Sequence, residues 1–322
     1  MDINLFSDVC LFDNKTIIYG QSTSAFTSIE IKPNLQYIVV FYNSTNASNP
    51  TDFYLEIYDK ISYIDEITFM DLRNNKVIKK NIVLYFPFEN YNISLNPDSA
   101  IISTMCKDYS SRLEEWIEYN LNLGFSGIVI FDNDDNNKIN EHLENRQDNN
   151  TTISDICKKY KDKVICVTFN YKPFAGYHWN NIQRISLHIG VNAFRNKCSK
   201  IALIDADEFI HIPNKSNIID FLSDYKRKTV TIQSNILTNK SNDDVINNNI
   251  LDLCLYVGEN KYTKTIIDTN NLRPMEFILT PHNHPLETIL NKDTIIHYHC
   301  WVNSRCIYDE NMPKIESLKL NM

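Results

Sequence analysis

The feature that most constrains this chain is a change of hydrophobic rhythm at Asn96-Pro97. Before it, apolar and polar residues alternate, as in residues 35–42, 53–58, 61–69 and 77–86. Period-two alternation marks half-buried strands, and turn signals at Asn49-Pro50 and Arg73-Asn74-Asn75 separate them. Residues 1–97 therefore read as a small β-rich accessory module. After the boundary, short apolar runs at 101–105, 127–131, 164–169, 201–204 and 229–234 alternate with helical stretches. One stretch sets Leu113, Trp116, Ile117 and Leu121 on one face and stops at Gly124. Ser111-Arg112-Leu113-Glu114 has the spacing of a capping box at its start. Further helices are expected over 154–160, 180–195 and 217–225, the second with Ile182, Ile185, Ile189 and Ala193 as its apolar stripe. Strand–helix repetition of this kind predicts an α/β domain over 98–322, with a mostly parallel sheet and helices on both faces. Residues 136–150 read as a polar loop, and 236–250 as a mobile loop.

The apolar run 201–204 ends abruptly in Asp205, Asp207 and Glu208. On a strand, residues two apart share a face, so Asp205 and Asp207 are expected side by side. Two such carboxylates repel unless a cation lies between them. Hard divalent ions take oxygen ligands and bridge to substrate phosphates. In open α/β sheets ligands bind beyond the carboxyl ends of the strands. Two more strand ends there carry polar groups, Cys106-Lys107-Asp108 and Asp132-Asn133-Asp134. Lys107 offers charge for a phosphate, and Asp132 and Asn133 can accept from ribose hydroxyls or a base. In the tail, an extended 295–301 places His297 and His299 on one face. Neutral imidazole suits Mn²⁺ beside carboxylates. Tyr177, Trp179 and Trp301 are aromatic candidates for stacking on a sugar or uracil.

Composition narrows the partners. A formal charge of −8 argues against a nucleic-acid or anionic-membrane surface. No apolar run reaches the roughly 18 residues of a spanning helix. Residues 1–10 carry Asp2 and Asp8 and no basic residue, unlike a secretory signal. The 8 cysteines are scattered, without a Cys-x-x-Cys pair, and read as reduced core residues. A cytoplasmic location is expected.

Several of these residues carry a resemblance. The stretch from Met105 to Gly124, with its Glu115-Trp116-Ile117 helix, then Phe131-Asp132-Asn133, resembles the opening of nucleotide-sugar glycosyltransferases of the GT-A fold. It is closest to glycosyltransferase family 92 and the related family 2-like group. Asp205-Ala206-Asp207-Glu208-Phe209 matches the family's Asp-x-Asp-Glu-Phe, and Gln183 precedes it at about the family's distance. Lys264, Arg273-Pro274, His282 and His297-Tyr298 follow the family's later succession. Asp108-Tyr109 stands where the family has Asn-Glu. The resemblance covers about residues 100–310 and leaves the first 97 unmatched.

The resemblance implies a Rossmann-like GT-A domain and a Mn²⁺- or Mg²⁺-dependent hexosyltransferase. The donor would be a nucleotide sugar, UDP-linked, and the acceptor a glycan, protein or small-molecule hydroxyl, with inversion. Asp205, Asp207 and His297 would hold the metal, with His299 in reserve. Lys107, Asp132, Asn133, Gln183, Asp205 and Lys264 would bind the donor. An inverting transfer needs a base to activate the acceptor hydroxyl. Glu276, His282 and Glu287 are candidates, Glu276 slightly preferred, while His282 and His284 are alternatively phosphate contacts. Two rivals use the same residues: a metal-dependent phosphohydrolase or nucleotidyltransferase, and a non-catalytic carbohydrate-binding module. Haloacid-dehalogenase-type hydrolases also use Asp-x-Asp, but after their first core strand and before a small-residue loop. Here Glu208-Phe209 follows a later strand.

Overall fold

A computed structural model describes residues 1–42, 50–134, 151–213, 217–240, 247–284, 287–301 and 308–315. The chain forms two compact units. The first comprises Met1–Tyr91 with Val167–Ala193, the second Asn92–Cys166 with Phe194–Met322.

The first unit opens with strands β1 (Ile3–Phe12), β2 (Thr16–Ser22), β3 (Ser28–Lys32), β4 (Tyr37–Tyr42), β5 (Thr51–Ile57), β6 (Tyr63–Met70) and β7 (Lys76–Val83). They build two antiparallel sheets, ordered β1-β2-β5-β4 and β3-β6-β7. Alternation holds on β3, where Ile29 and Ile31 are buried and Glu30 and Lys32 are exposed, whereas β2 is buried at every position. Phe53 on β5 and Phe69 on β6 meet with ring centroids 5.9 Å apart, and Phe26 packs on both at 5.0 and 5.2 Å. Ile29, Ile31, Leu55, Ile64 and Ile67 complete this core.

The chain continues through β8 (Ala100–Cys106), α1 (Ser110–Asn122), β9 (Gly127–Asp132), α2 (Ile153–Lys159), β10 (Val164–Thr168) and α3 (Asn180–Phe194). All but the last residue of α3 belongs to the first unit. There the buried Arg184 guanidinium binds Asp52 of β5 through two bonds of 2.6 and 2.9 Å. Then follow β11 (Lys200–Leu203), β12 (Glu208–His211), α4 (Ile218–Ser223), β13 (Thr229–Thr238), α5 (Ile250–Leu253), β14 (Tyr256–Asp268), β15 (Glu287–Ile289) and β16 (Ile296–Trp301).

The second unit corrects the expected fold class. The chain is sheet-rich, 40% strand and 18% helix, and its large sheet is curled and mixed, not a Rossmann-like parallel α/β sheet. Strand order is β10-β9-β8-β11-β14-β13-β16-β12, with β15 beside β13. β8 runs parallel to β9 and β11. From β14 onward the direction mixes: β11–β14, β14–β13 and β12–β16 are antiparallel, β13–β16 parallel. The physical reason lies in the connections. A parallel neighbour needs a crossover of a dozen or more residues, usually through a helix. Between β13 and β14 the described residues hold only the 4-residue α5, too short to lie across the sheet as a crossover helix, and β14 pairs antiparallel with β13.

Helix α1 starts two residues ahead of the expected capping box, with Tyr109 at the N-cap and Ser111 inside the first turn. It ends as expected at Gly124, whose φ of +102° lies in the region that favours glycine. Residues 236–238 belong to β13, whereas 241–246, within the expected mobile loop, lie outside the described residues. The same holds for 135–150, and so for the polar loop expected there. No described helix is long and apolar enough to cross a membrane.

Candidate functional site

Asp205 and Asp207 sit not on a strand but in the tight turn between β11 and β12, and Glu208 opens β12. The Glu208 N–H donates to the Asp205 carbonyl at 3.1 Å. The Glu208 carboxylate accepts the Asp205 N–H at 3.0 Å. This reciprocal pair folds the turn so that all three acids gather at the sheet edge. Helix α1 fixes the strand behind it: the Trp116 indole N–H donates to Glu208 O and the Tyr119 hydroxyl to Ile210 O, both at 2.8 Å.

Each carboxylate has a basic partner. Lys264 Nζ, on β14, lies 2.5 Å from Asp205 Oδ2 and 3.1 Å from Glu208 Oε2. Burial alone would discharge this lysine. The Asp205 and Glu208 charges outweigh it and hold the ammonium above its ordinary pKa. His299 Nε2 lies 2.9 Å from Asp207 Oδ2, and its Nδ1 is 3.7 Å from Glu208 Oε1. Burial opposes its charge, but Asp207 above all pushes the imidazole up to about 9. In turn burial works to raise Asp207, and His299 with Lys264 draws it below the usual range.

His297 differs. It is fully buried, 3.8 Å from Glu208 Oε1, and neither ring nitrogen has a hydrogen-bond partner. Burial keeps it neutral, with Lys264, His299 and His282 adding to that effect. Buried polar side-chain atoms are mostly hydrogen-bonded, so an imidazole with both nitrogens unpartnered has room for a bound water or ion.

The other two strand ends join this edge. The Asn133 N–H donates to Cys106 O at 2.9 Å, and the Asp108 N–H to Asp134 Oδ1. Burial, then the charges of Asp134, Asp132 and Asp207, push the Cys106 thiol up, so Asp207 lies within electrostatic reach of β8 and β9. Asp132 is buried and accepts the Asp134 N–H at 3.1 Å. Lys107 lies 3.8 Å from Asp108. Thus Lys107, Asp132, Asn133, Asp205, Asp207, Lys264 and His297 all belong to the second unit, whereas Gln183 on α3, Tyr177 and Trp179 belong to the first. The side chain of Trp301 lies outside the described residues.

Among the candidate bases, Glu276 accepts the Arg273 N–H at 2.9 Å and lies 3.9 Å from His284. Glu287 is bound to the Thr231 hydroxyl and to the His284 N–H. His282 Nδ1 lies 2.7 Å from the Thr263 carbonyl, which only accepts, so Nδ1 carries the proton and Nε2 the lone pair.

Two contributors escaped the sequence reading, the bridging role of Glu208 and the direct contact of His299 with Asp207. The signal for His299 is register: β12 pairs with β16 so that Glu208 faces His299 and Ile210 faces His297. Among the described residues no three or more His, Cys, Asp or Glu side chains already surround a metal-sized point. The donor chemistry nonetheless fits a divalent cation: two carboxylates, and one buried neutral imidazole with free nitrogens.

No protein-family profile matches the chain. One similarity is informative. Over 131 residues, 40% of this chain, it is 28% identical to a glycosyltransferase family 92 protein of rice, Oryza sativa subsp. japonica. The match covers 19% of that protein's length, so the matched segment spans about a fifth of its relative. The similarity supports a glycosyltransferase relationship.

Proposed function

We propose that this chain transfers a sugar from a UDP-linked nucleotide sugar to a hydroxyl acceptor, with inversion, using Mn²⁺ or Mg²⁺. The observation that carries the reading is the carboxylate turn beside the orphaned nitrogens of buried His297. Asp205, Asp207 and His297 would hold the cation. A cation bound there supplies Lewis-acid neutralisation of the departing diphosphate. Asp132 and Asn133 accept from the nucleoside's hydroxyls and base at the ends of β8 and β9. Lys264 adds a fixed positive charge at the same edge, where low dielectric strengthens it. His282 Nε2, its tautomer set by Thr263, receives the acceptor's proton in preference to Glu276, whose carboxylate is engaged by the Arg273 backbone.

The test is nucleoside diphosphate release from a panel of UDP-sugars by the full chain, with Mn²⁺ and with excess chelator. Slow release without acceptor is expected, because water can replace the hydroxyl, together with its loss on chelation. Inorganic phosphate as the first product would assign the site to a phosphohydrolase. Binding without turnover across the panel would assign it to a carbohydrate-binding module.

A further inference from the structure

Strand β14 does not run straight past the carboxylate turn. On β13, Gln233 pairs with Thr263, but Asn235 pairs with Glu259. Two steps on β13 thus correspond to four on β14, and residues 260–262 are thrown outward opposite Ser234. The bulge is pinned. Asn260 Nδ2 donates to Ser234 Oγ at 2.8 Å, and the Tyr262 N–H to Asn260 Oδ1 at 3.2 Å. On the other side of β13, Ser234 pairs with His297. The bulge therefore lies one strand from the orphaned imidazole, two residues before Lys264. Bulges beside active sites re-aim side chains.

What this bulge aims is an aromatic face. Tyr262 is 53% exposed, although it sits within a 13-residue strand of the large sheet. Its ring rests on His282, with centroids 5.7 Å apart and planes inclined by 35°. His282 is locked to residue 263 twice, ring to carbonyl and carbonyl to hydroxyl. A single exposed aromatic is ordinary. A backed and displaced one at the rim of a charged cluster, with Lys261 Nζ 5.7 Å from its centroid, has a specific use: a flat ring surface with polar groups around it. A pyranose presents the complementary shape, with apolar C–H faces and hydroxyls round the rim.

We infer that Tyr262, backed by His282, is the stacking wall that holds a pyranose ring beside the Asp205–Asp207 turn. The inference rests on the transferase reading and names the group that positions the sugar. The ring belongs to the donor or to the acceptor, and both present the same face.

The experiment compares Tyr262→Ala and Tyr262→Phe with the unaltered full chain. UDP release from UDP-sugars with Mn²⁺ is measured with and without simple sugars and glycosides as acceptors, and UDP binding by calorimetry. Tyr262→Ala is expected to raise a KM by about tenfold, the size of one stacking contact, with a much smaller change in kcat. UDP affinity should stay the same, and Tyr262→Phe, which keeps the ring, should restore most of the loss. A rise in donor KM without acceptor identifies the donor sugar; a rise only in acceptor KM identifies the acceptor sugar. Three results overturn the inference alone: unchanged KM in Tyr262→Ala, an equal loss of UDP affinity, or a phenylalanine variant as impaired as the alanine one. No release by the unaltered chain from any donor overturns the transferase reading, and this inference with it.

Discussion

His299 on β16 lies 2.9 Å from Asp207, a partner 92 residues earlier in the chain, and carries a proton because of it. This pair and the Lys264 bridge between Asp205 and Glu208 mean that two of the three carboxylate charges here are already balanced by the protein itself. A cation entering there meets carboxylates whose repulsion is damped, so the turn can stay folded without it.

Asp207→Asn should abolish transfer while leaving the fold intact. The carboxylate is partly exposed, and without it His299 reverts toward the neutral form, so no buried charge is stranded. A loss of at least about a hundredfold in UDP release is expected, with melting temperature changed by only a few degrees. Full activity in this variant would remove Asp207 from the mechanism.

Lys264→Met should be far more damaging to stability. Glu208 and Lys264 are both buried, and removing one partner of such a pair costs about 3–5 kcal/mol. Adding Glu208→Gln should recover part of that loss, because the uncompensated charge disappears with it. Urea unfolding of the two single variants and the double variant measures the coupling. Strict additivity would show that the pair is not coupled.

How much was legible in the sequence depends on the range of the forces involved. The cluster of acids after β11, α1 with its terminal Gly124, and α3 all announce themselves within a few residues, through periodicity and end signals, although Asp205 and Asp207, expected on a strand, lie in a turn. The mixed half of the sheet does not. Nothing local in residues 229–268 tells whether β14 continues past β13 or folds back on it, and a strand's partner lies outside its own sequence. The expectation of a parallel sheet extended a rule that held for β8, β9 and β11 to strands whose described connections carry only the short α-helices α4 and α5. The same limit hid the contact of His299 with Asp207, set by the β12–β16 register, and the exposure of Tyr262 at a bulge. Arg184 likewise finds its partner Asp52 132 positions away, on a strand of the same unit.

Gly124→Ala should destabilise the second unit. At φ +102° an alanine is strained, and its Cβ would stand 2.5 Å from Asn217 Nδ2. Asn217 cannot retreat freely, because its carbonyl oxygen caps α4 by accepting the N–H groups of Ile219 and Asp220. Strain and loss of the cap together give about 2–4 kcal/mol. Urea unfolding checks this, and a change below about 0.5 kcal/mol would mean that the turn relaxes without cost.

Asp132 supplies the pH dependence. Burial first, with the Asp134 charge adding and the Asp134 N–H bond opposing, pushes its carboxyl from 3.8 up to about 6. The folded chain therefore holds this proton more tightly than the unfolded one. The stability from this group is fully present below pH 3.8 and is lost as pH rises through about 6. Two units correspond to roughly 3 kcal/mol, taken as an upper figure. Asp132→Asn should accordingly raise the melting temperature at pH 8 and change it little at pH 4. Binding should move the other way. If the ionised carboxylate accepts from the nucleoside, affinity for UDP grows through pH 6 in the unaltered chain and stays flat and weaker in Asp132→Asn. Calorimetric titration with UDP at pH 5 and pH 8 separates the cases. Equal affinity at both pH values, matched by Asp132→Asn, would leave the buried carboxylate a structural group of the β9 end and take it out of the nucleotide site.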